Sequence, residues 1–500
     1  MDQYERSDGA GTLLYIVCTK DTTINVFAPY MKINRTRLFE SSSAIPIYDQ
    51  LMNIQTERTN KGVYITADKP ISISVFEDVN NGLATEGYLA FPITSISTEY
   101  VVASDISDNR SISQFAIAAL ENSTIVNITL KTTGKVTIYG IKYSSGSVYS
   151  LAMSALDTFQ VQHDYDLTGT LIQSNKPIAV FSGCRCGFGR QPGVTCQHEV
   201  EQIIPIRILG QEYITVPLFP AASYRYRIIS PFDNTIVSIE EQNYALRSGD
   251  FMERWDTEPL YIHASKPIMV IEYGQCTPTY CVNGSDPSMI TIPAISTFSN
   301  NITFGMPDIL IGEIVQYHLL VVVETNMSQD LILDNKSIGL DGKYTVTTAS
   351  RKHYTILVTN LTIGDHKLYH PDRSVRFGTV LYGTGRGSSI GFSLGYREDP
   401  SKPSVKFVPT GIQNIMLIVT VLRGRATGYE IRAESIADGN TYAQNGTFLQ
   451  NQTTSSYTFS TTDLPGTCFN FRVVATTGSG QGVGYSDPVI EHNVCYGNNI

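Results

Sequence analysis

Charge is scarce in this chain, and what there is leans acidic. Only 16% of its 500 residues are Asp, Glu, Lys or Arg, and the net charge is −10. A nucleic-acid partner needs a clustered basic surface, and no Lys/Arg cluster supplies one. Tryptophan occurs once, at Trp255. Long apolar runs are also missing. Asn414 to Leu422 is largely apolar but far too short to span a bilayer, so no transmembrane segment is expected in this chain. No long stretch keeps a helical period. The opening, Met1-Asp2-Gln3-Tyr4-Glu5-Arg6, lacks the basic and apolar regions of a secretory leader.

Enzyme signatures are thin as well. His198-Glu199-Val200-Glu201-Gln202 starts like a zinc-protease helix but has no second histidine four residues after the first. Gly383-Thr384-Gly385-Arg386-Gly387 is followed by no Lys-Ser/Thr and reads as a turn, and no Gly-x-Ser-x-Gly elbow occurs. Glu240 and Glu241 are adjacent on an expected strand and would face opposite sides. Glu199 and Glu201 are two apart on a strand-like stretch and would share a face. They keep a secreted glycoside hydrolase open as an alternative. No catalytic residue, metal ligand or cofactor is otherwise expected.

What is abundant is Thr, Ser, Tyr, Val and Ile, a balance that favours strands. Asn81-Gly82, Asn283-Gly284, Asp341-Gly342, Asp438-Gly439 and Asn445-Gly446 are turn pairs suited to hairpins. A ten-residue phrase occurs three times: Tyr64 to Ile73, Leu171 to Val180 and Tyr261 to Val270. Each carries Lys-Pro-Ile, at Lys69, Lys176 and Lys266, and the copies lie roughly 90 to 107 residues apart. The phrase reads as strand, tight corner, strand. Ile71, Ile73 and Val75 alternate with Ser72 and Ser74, and proline suits a strand's first position. Asp68, Asn175 and Ser265 precede the lysines and are expected to bond their own turn backbone. The lysines themselves read as structural, solvated corner residues.

Eight cysteines fall in clusters. Cys184-x-Cys186 with Cys196-x-His198 nearly makes a zinc set, but a Cys-x-Cys knuckle is unusual and the matching Cys276/Cys281 loop has no histidine. Disulfides are the favoured reading. Loop position suggests Cys186–Cys196 and Cys276–Cys281; the other pairs expected are Cys468–Cys495 and Cys18–Cys184. Glycosylation acceptors of the Asn-x-Ser/Thr type stand at Asn34, Asn109, Asn122, Asn127, Asn283, Asn301, Asn326, Asn335, Asn360, Asn445 and Asn451. Together with the cysteines they point to an extracellular protein, secreted or at the cell surface, whose start is incomplete here.

Residues 397–403, charged and carrying Pro400 and Pro403, read as a linker. Beyond it, Leu417, Val419 and Val421 alternate, as do Tyr429, Ile431 and Ala433. Leu464-Pro465-Gly466-Thr467-Cys468-Phe469-Asn470-Phe471-Arg472-Val473 then leads to Gly478-Ser479-Gly480 and Ser486-Asp487-Pro488. Residues 404–500 resemble a fibronectin type III domain. Three features depart from that pattern: Leu464 abuts Pro465, Phe469 replaces the corner tyrosine, and the early-strand tryptophan is missing.

Before the linker, Phe181-Ser182-Gly183-Cys184-Arg185-Cys186 is followed by Cys196-Gln197-His198-Glu199-Val200-Glu201-Gln202-Ile203-Ile204-Pro205. With Asp286-Pro287-Ser288-Met289 and Phe377-Gly378-Thr379-Val380-Leu381-Tyr382-Gly383, these resemble the N-terminal domain of the IgG Fc-binding protein family, over about residues 10–396. Cys184 is extra to that pattern, which is why it is matched with Cys18. The resemblance implies a secreted or cell-surface adhesion and binding module, found in mucus-associated proteins. Nothing in these residues reads as an antibody-specific pocket.

The expectation is therefore an all-β chain. Tandem antiparallel β-sandwich units occupy residues 1–98, 99–207, 208–296 and 297–396, the last without Lys-Pro, and a fibronectin type III-like β-sandwich follows. The expected activity is non-enzymatic binding of a protein or glycan partner, with His198, Glu199 and Glu201 as a recognition loop. A purely structural spacer is the remaining alternative.

Overall fold

The computed structural model describes residues 11–48, 55–78, 86–106, 111–187, 197–218, 223–274, 288–307, 314–338, 342–372, 374–385, 389–397, 404–409, 414–420, 428–437, 439–447, 454–460, 468–477, 484–485 and 489–495. The chain divides into two compact units, Met1–Tyr396 and Arg397–Ile500. Both are built from antiparallel strands, with only short 3-10 turns as helix among the described residues.

The larger unit is a series of antiparallel sandwiches. In the first, Ser43–Tyr48, Gly11–Val17, Ser72–Asp78 and Glu86–Leu89 form one sheet, while Ile33–Phe39, Thr22–Ala28 and Tyr64–Ala67 form the other. Leu14, Ile16, Ile24, Val26, Phe39 and Val75 fill the space between them. The second and third sandwiches are organised by single long strands, Leu171–Gly187 and Leu260–Gly274. The first half of Leu171–Gly187 pairs with Thr124–Thr129 and Ser97–Val101. Its second half pairs with Ser113–Ala119 and Gln197–Gln202. Leu260–Gly274 repeats the scheme with Gly210–Thr215 and Thr235–Ile239, then Tyr224–Ile229 and Ser288–Thr291. The fourth sandwich packs a sheet containing Asn301–Met306 and Gly364–Tyr369 against five strands centred on Ile314–Glu324.

Lys-Pro marks the bend at which a strand passes from one sheet to the next, and the same clasp closes it three times. Lys69 Nζ donates to the Lys20 carbonyl, Lys176 Nζ to the Asn122 carbonyl and Lys266 Nζ to the Asp233 carbonyl, at 2.8, 2.7 and 2.5 Å. Asp21, Ser123 and Asn234, next in each receiving turn, adopt positive φ. The following Thr22, Thr124 and Thr235 are fully buried, and each hydroxyl donates to the carbonyl three residues back. Asp68, Asn175 and Ser265 differ from expectation. Each accepts from an amide at the start of a facing strand (Thr23, Ile125 and Ile236). Two turn expectations also change. Asn445-Gly446 lies inside the strand Thr441–Thr447, opposite Glu430 and Tyr429. Glu240 and Glu241 form the turn between Thr235–Ile239 and Gln242–Leu246, with Glu240 at φ 53°.

Four strands, one from each sandwich, pack in a ring. Glu86–Leu89 touches Gln197–Gln202 and Ser389–Leu394, and Ser288–Thr291 touches the same two strands. The ring is pinned by carboxyl groups. Glu86 accepts from the amides of Gly87, Met289 and Gly391, at 3.0, 3.2 and 3.1 Å, and Glu201 accepts from Thr291 at 3.0 Å.

The smaller unit is a two-sheet antiparallel sandwich. Ser404–Pro409, Asn414–Thr420 and Thr454–Ser460 face Thr441–Thr447, Gly428–Ser435, Cys468–Thr477 and Val489–Cys495. This is the architecture the fibronectin type III resemblance implies. Leu417, Val419, Tyr429, Ile431, Phe469 and Phe471 make its core. Phe469, in the corner tyrosine's place, is fully buried and meets Tyr442 edge-on with centroids 6.3 Å apart.

Candidate functional site

His198, Glu199 and Glu201 do not form a recognition loop. They lie on the strand Gln197–Gln202, opposite the second half of Leu171–Gly187, and all three are buried. The alternation places Glu199 opposite Cys184 and Glu201 opposite Ser182. Both carboxyl groups are buried between sandwiches, and among the described residues neither opens on a cleft that could take a sugar. A cavity between the third and fourth sandwiches is lined by Val216, Glu272, Phe298 and Leu320, and not by either of them. At about 20 Å³ it has room for roughly one water.

These residues edge a buried polar junction. Asp105 accepts from both terminal nitrogens of Arg225 at 2.9 and 2.6 Å and lies 3.0 Å from Arg227. Arg227 also meets Asp166 and Glu253, each at 2.8 Å. The Tyr273 ring lies 4.0 Å under the Arg225 guanidinium, and its hydroxyl donates to the Ser104 carbonyl at 2.7 Å. Burial alone would raise the Asp105 carboxyl, but the charges of Arg225 and Arg227 outweigh it and hold the group down to about 2. Burial pushes Glu199 well above the usual carboxylate range, aided by Asp105 and opposed by the two arginines. His198 Nε2 lies 2.9 Å from Glu77 Oε2, also out of solvent. The chemistry here is cohesion: paired charges lock the second and third sandwiches together.

The thiol pattern departs from expectation. Cys18 and Cys184 are free, so the Cys18–Cys184 bridge is absent. The physical reason is their placement: Cys184 is buried in the second sandwich, while Cys18 follows the strand Gly11–Val17 of the first and is half-exposed. Cys186 and Cys468 are disulfide-bonded. Cys468 stands opposite Cys495 in the ladder. Cys196, Cys276 and Cys281 lie outside the described residues. Among the glycosylation acceptors, Asn34, Asn122, Asn127, Asn326, Asn335 and Asn360 are exposed. Asn301 is half-buried, with its Oδ1 out of reach of solvent. Asn109, Asn283, Asn451 and the side chain of Asn445 lie outside the described residues.

A surface that sequence reasoning missed lies on the second sandwich. The hairpin Val136–Ile138 to Ile141–Tyr143 turns on Tyr139 and Gly140, both at positive φ, as a two-residue type I′ turn requires. The turn leaves Tyr139 61% and Ile141 60% exposed. Tyr139 Oη accepts from the Arg58 amide at 2.9 Å. Tyr143 meets Tyr149 edge-on at 5.5 Å, and Tyr149 stacks on buried Phe159 at 5.6 Å. Arg58 is held beside them by Asp157, at 2.5 Å. Burial raises the Tyr149 hydroxyl, and the Tyr139 and Tyr143 hydroxyls add to the shift, which places the three close together. The available signal was Tyr139, Tyr143 and Tyr149 recurring within eleven residues around a glycine.

No helix among the described residues is long and apolar enough to cross a membrane. The IgGFc-binding protein of Homo sapiens is 25% identical over 347 residues, which cover 66% of this chain and 6% of that protein. The chain thus spans about 6% of the length of that relative. Likeness to solved structures is low. A two-domain fibronectin type III segment from chicken tenascin gives a TM-score of 0.19 at 12% identity, covering 39% of this chain and 92% of that one. The chicken CNTN1 FN1–FN3 domains give 0.18 at 12% identity, over 55% and 99%. Residues 86–383 match the family described as IgGFc binding protein, and the chain belongs to that family.

Proposed function

We propose that this chain is an extracellular, non-enzymatic binding module that engages a protein partner. The family match over residues 86–383 carries the reading, since that family is described by what it binds. The tyrosine surface supports it. Tyrosine and arginine bury much area at little entropic cost and dominate binding hot spots, and here Arg58, Tyr139, Tyr143 and Tyr149 gather around one exposed hairpin turn. The IgG Fc region, named by the human relative, is the first partner to try, with secreted proteins and glycans beside it.

In this reading the disulfides and the glycans on exposed asparagines belong to an oxidising, exported setting. Sandwiches 1–98, 99–207, 208–296 and 297–396 act as one scaffold within a larger mucus- or matrix-associated protein. The test is the full chain on a biosensor against Fc fragment, a secreted-protein panel and a glycan array. Saturable binding weakened by Tyr139→Ala supports the proposal. A folded chain that binds nothing makes it a spacer, and glycan hydrolysis lost in Glu199→Gln makes it an enzyme.

A further inference from the structure

The strand Ile33–Phe39 lies at the edge of its sheet. It pairs with Thr22–Ala28 in unbroken register, and among the described residues no strand pairs on its other side. The Thr23 amide donates to Asp68 Oδ1 and the Thr23 carbonyl accepts from the Asp68 amide, so Thr23 directs its backbone away from Ile33–Phe39. Backbone direction alternates along a strand, so Ile24 and Val26 bond to their ladder partners, Arg37 and Arg35. Asn34, Thr36 and Leu38 therefore turn their amides and carbonyls to the open edge. Among the described residues these groups have no partner there.

Every residue from Asn34 to Leu38 is exposed. Ile24 and Val26 fill the core, so Arg37 and Arg35, opposite them, leave the strand on its core-facing side yet remain exposed. Neither has an ion-pair partner among the described residues, and Arg37 lies over the Phe39 ring at 5.8 Å. Residues 29–40 hold the cations Lys32, Arg35 and Arg37 and one acid, Glu40, which Lys20 engages at 3.7 Å. In a chain of net charge −10 this edge is locally positive. Open edges are normally interrupted, as Pro46 interrupts the edge strand Ser43–Tyr48 of the same sandwich. Here no proline or bulge does so. The arginines instead repel a second copy: centred on Thr36, antiparallel pairing of two such edges sets Arg35 of each against Arg37 of the other.

We propose that Ile33–Phe39 is a docking edge for an extended acidic peptide, which joins the sheet as one more strand. Its backbone bonds to Asn34, Thr36 and Leu38, and carboxylates two residues apart stand opposite Arg35 and Arg37. Asn34 points to the other face, where its Oδ1 accepts from Asn25 Nδ2 at 3.2 Å, so a sugar on it leaves the arginine side open. The edge belongs to the first sandwich and does not depend on the tyrosine hairpin of the second.

The experiment titrates the full chain into dye-labelled Thr-Val-Glu-Thr-Glu-Val-Thr, and into its twin with Lys for both Glu, and reads fluorescence anisotropy. The expected result is saturable binding of the Glu peptide, about tenfold tighter than its twin. Arg35→Glu with Arg37→Glu reverses the preference at an unchanged melting temperature, and Tyr139→Ala leaves it as it was. Methylating one alternate set of peptide nitrogens abolishes binding, and methylating the other set spares it. No saturation below about 1 mM overturns the proposal, as does equal affinity for the twin. Indifference to both methylations, with displacement by heparin, also overturns it and assigns the edge to an anionic glycan. Loss of the peptide in Tyr139→Ala overturns it by placing the contact on the hairpin. If the double variant misfolds, Arg35→Gln and Arg37→Gln decide singly: each should weaken the Glu peptide about threefold, and no weakening in either counts against the edge.

Discussion

Asp105 grips Arg225 with both carboxylate oxygens across 120 residues of sequence, and both side chains are fully buried. Removing one partner strands the other in a low-dielectric site, which costs about 3–5 kcal/mol. Asp105→Ala should lose that much in a urea titration. Asp105→Leu with Arg225→Met should recover most of it. A double variant no better than the single would show that the pair's worth lies elsewhere.

The clasp at Lys176 separates surface charge from corner geometry. Thr124→Val removes a buried hydroxyl that donates to the Glu121 carbonyl at 2.7 Å and should cost about 1–2 kcal/mol. Lys176→Ala, at a solvated position, should cost about 1 kcal/mol or less. Thermal melts order the two, and a larger loss for Lys176→Ala would reverse their assigned weights.

Two glycines at positive φ should respond unequally. A Cβ on Gly169 would lie 1.9 Å from the Gly249 carbonyl oxygen, where the second and third sandwiches meet, whereas one on Gly146 meets nothing. Gly146→Ala should lose about 1 kcal/mol from backbone strain alone. Gly169→Ala adds a backbone clash and should cost at least twice as much or fail to fold. Equal chemical-denaturation midpoints would refute the close contact.

Stability should depend on pH in two opposing ways. Burial holds the Glu272 carboxyl well above the usual range, so the fold keeps a proton that the unfolded chain releases near pH ~4.3. That contribution is full below the unfolded value and is lost as pH rises through the folded one. Glu272→Gln should match the unmodified chain at pH 4 and exceed it at pH 8. Asp105 runs the other way: held down to about 2, it stabilises above the ordinary aspartate value, and this is lost as pH falls toward 2. A pH-independent difference for Glu272→Gln would contradict the first half.

On the tyrosine surface, Tyr139→Ala should weaken partner binding by roughly tenfold or more while leaving the melting temperature within a few degrees. Arg58→Ala should weaken it too, with some loss of stability from the Asp157 pair. Unchanged affinity in both would move the contact off this face.

Period-two alternation at Ile71, Ile73 and Val75 and the three Lys-Pro-Ile phrases made the sandwiches legible, because burial of one strand face repeats every second residue. The partners of Asp68, Asn175 and Ser265 were not legible, since they belong to strands about 30 to 50 residues away. His198, Glu199 and Glu201 misled for a physical reason. Polar residues are read as solvent-facing, yet here a strand buries all three where four sandwiches meet, with His198 against Glu77 and Glu201 on the Thr291 amide. Tyr139 was overlooked because an exposed turn residue leaves no periodic trace.

The ring of strands also has a temporal side. Tyr15 and Ser42 both donate to Asp365, and Glu86 waits for Gly391. During synthesis the first sandwich must therefore remain incomplete until some three hundred further residues emerge, roughly 15 to 60 s at ~5–20 residues per second. Over that interval its closing seam is bare, so nascent chains halted before about residue 390 should be sticky substrates for chaperones, and release should coincide with arrival of the last ring strand.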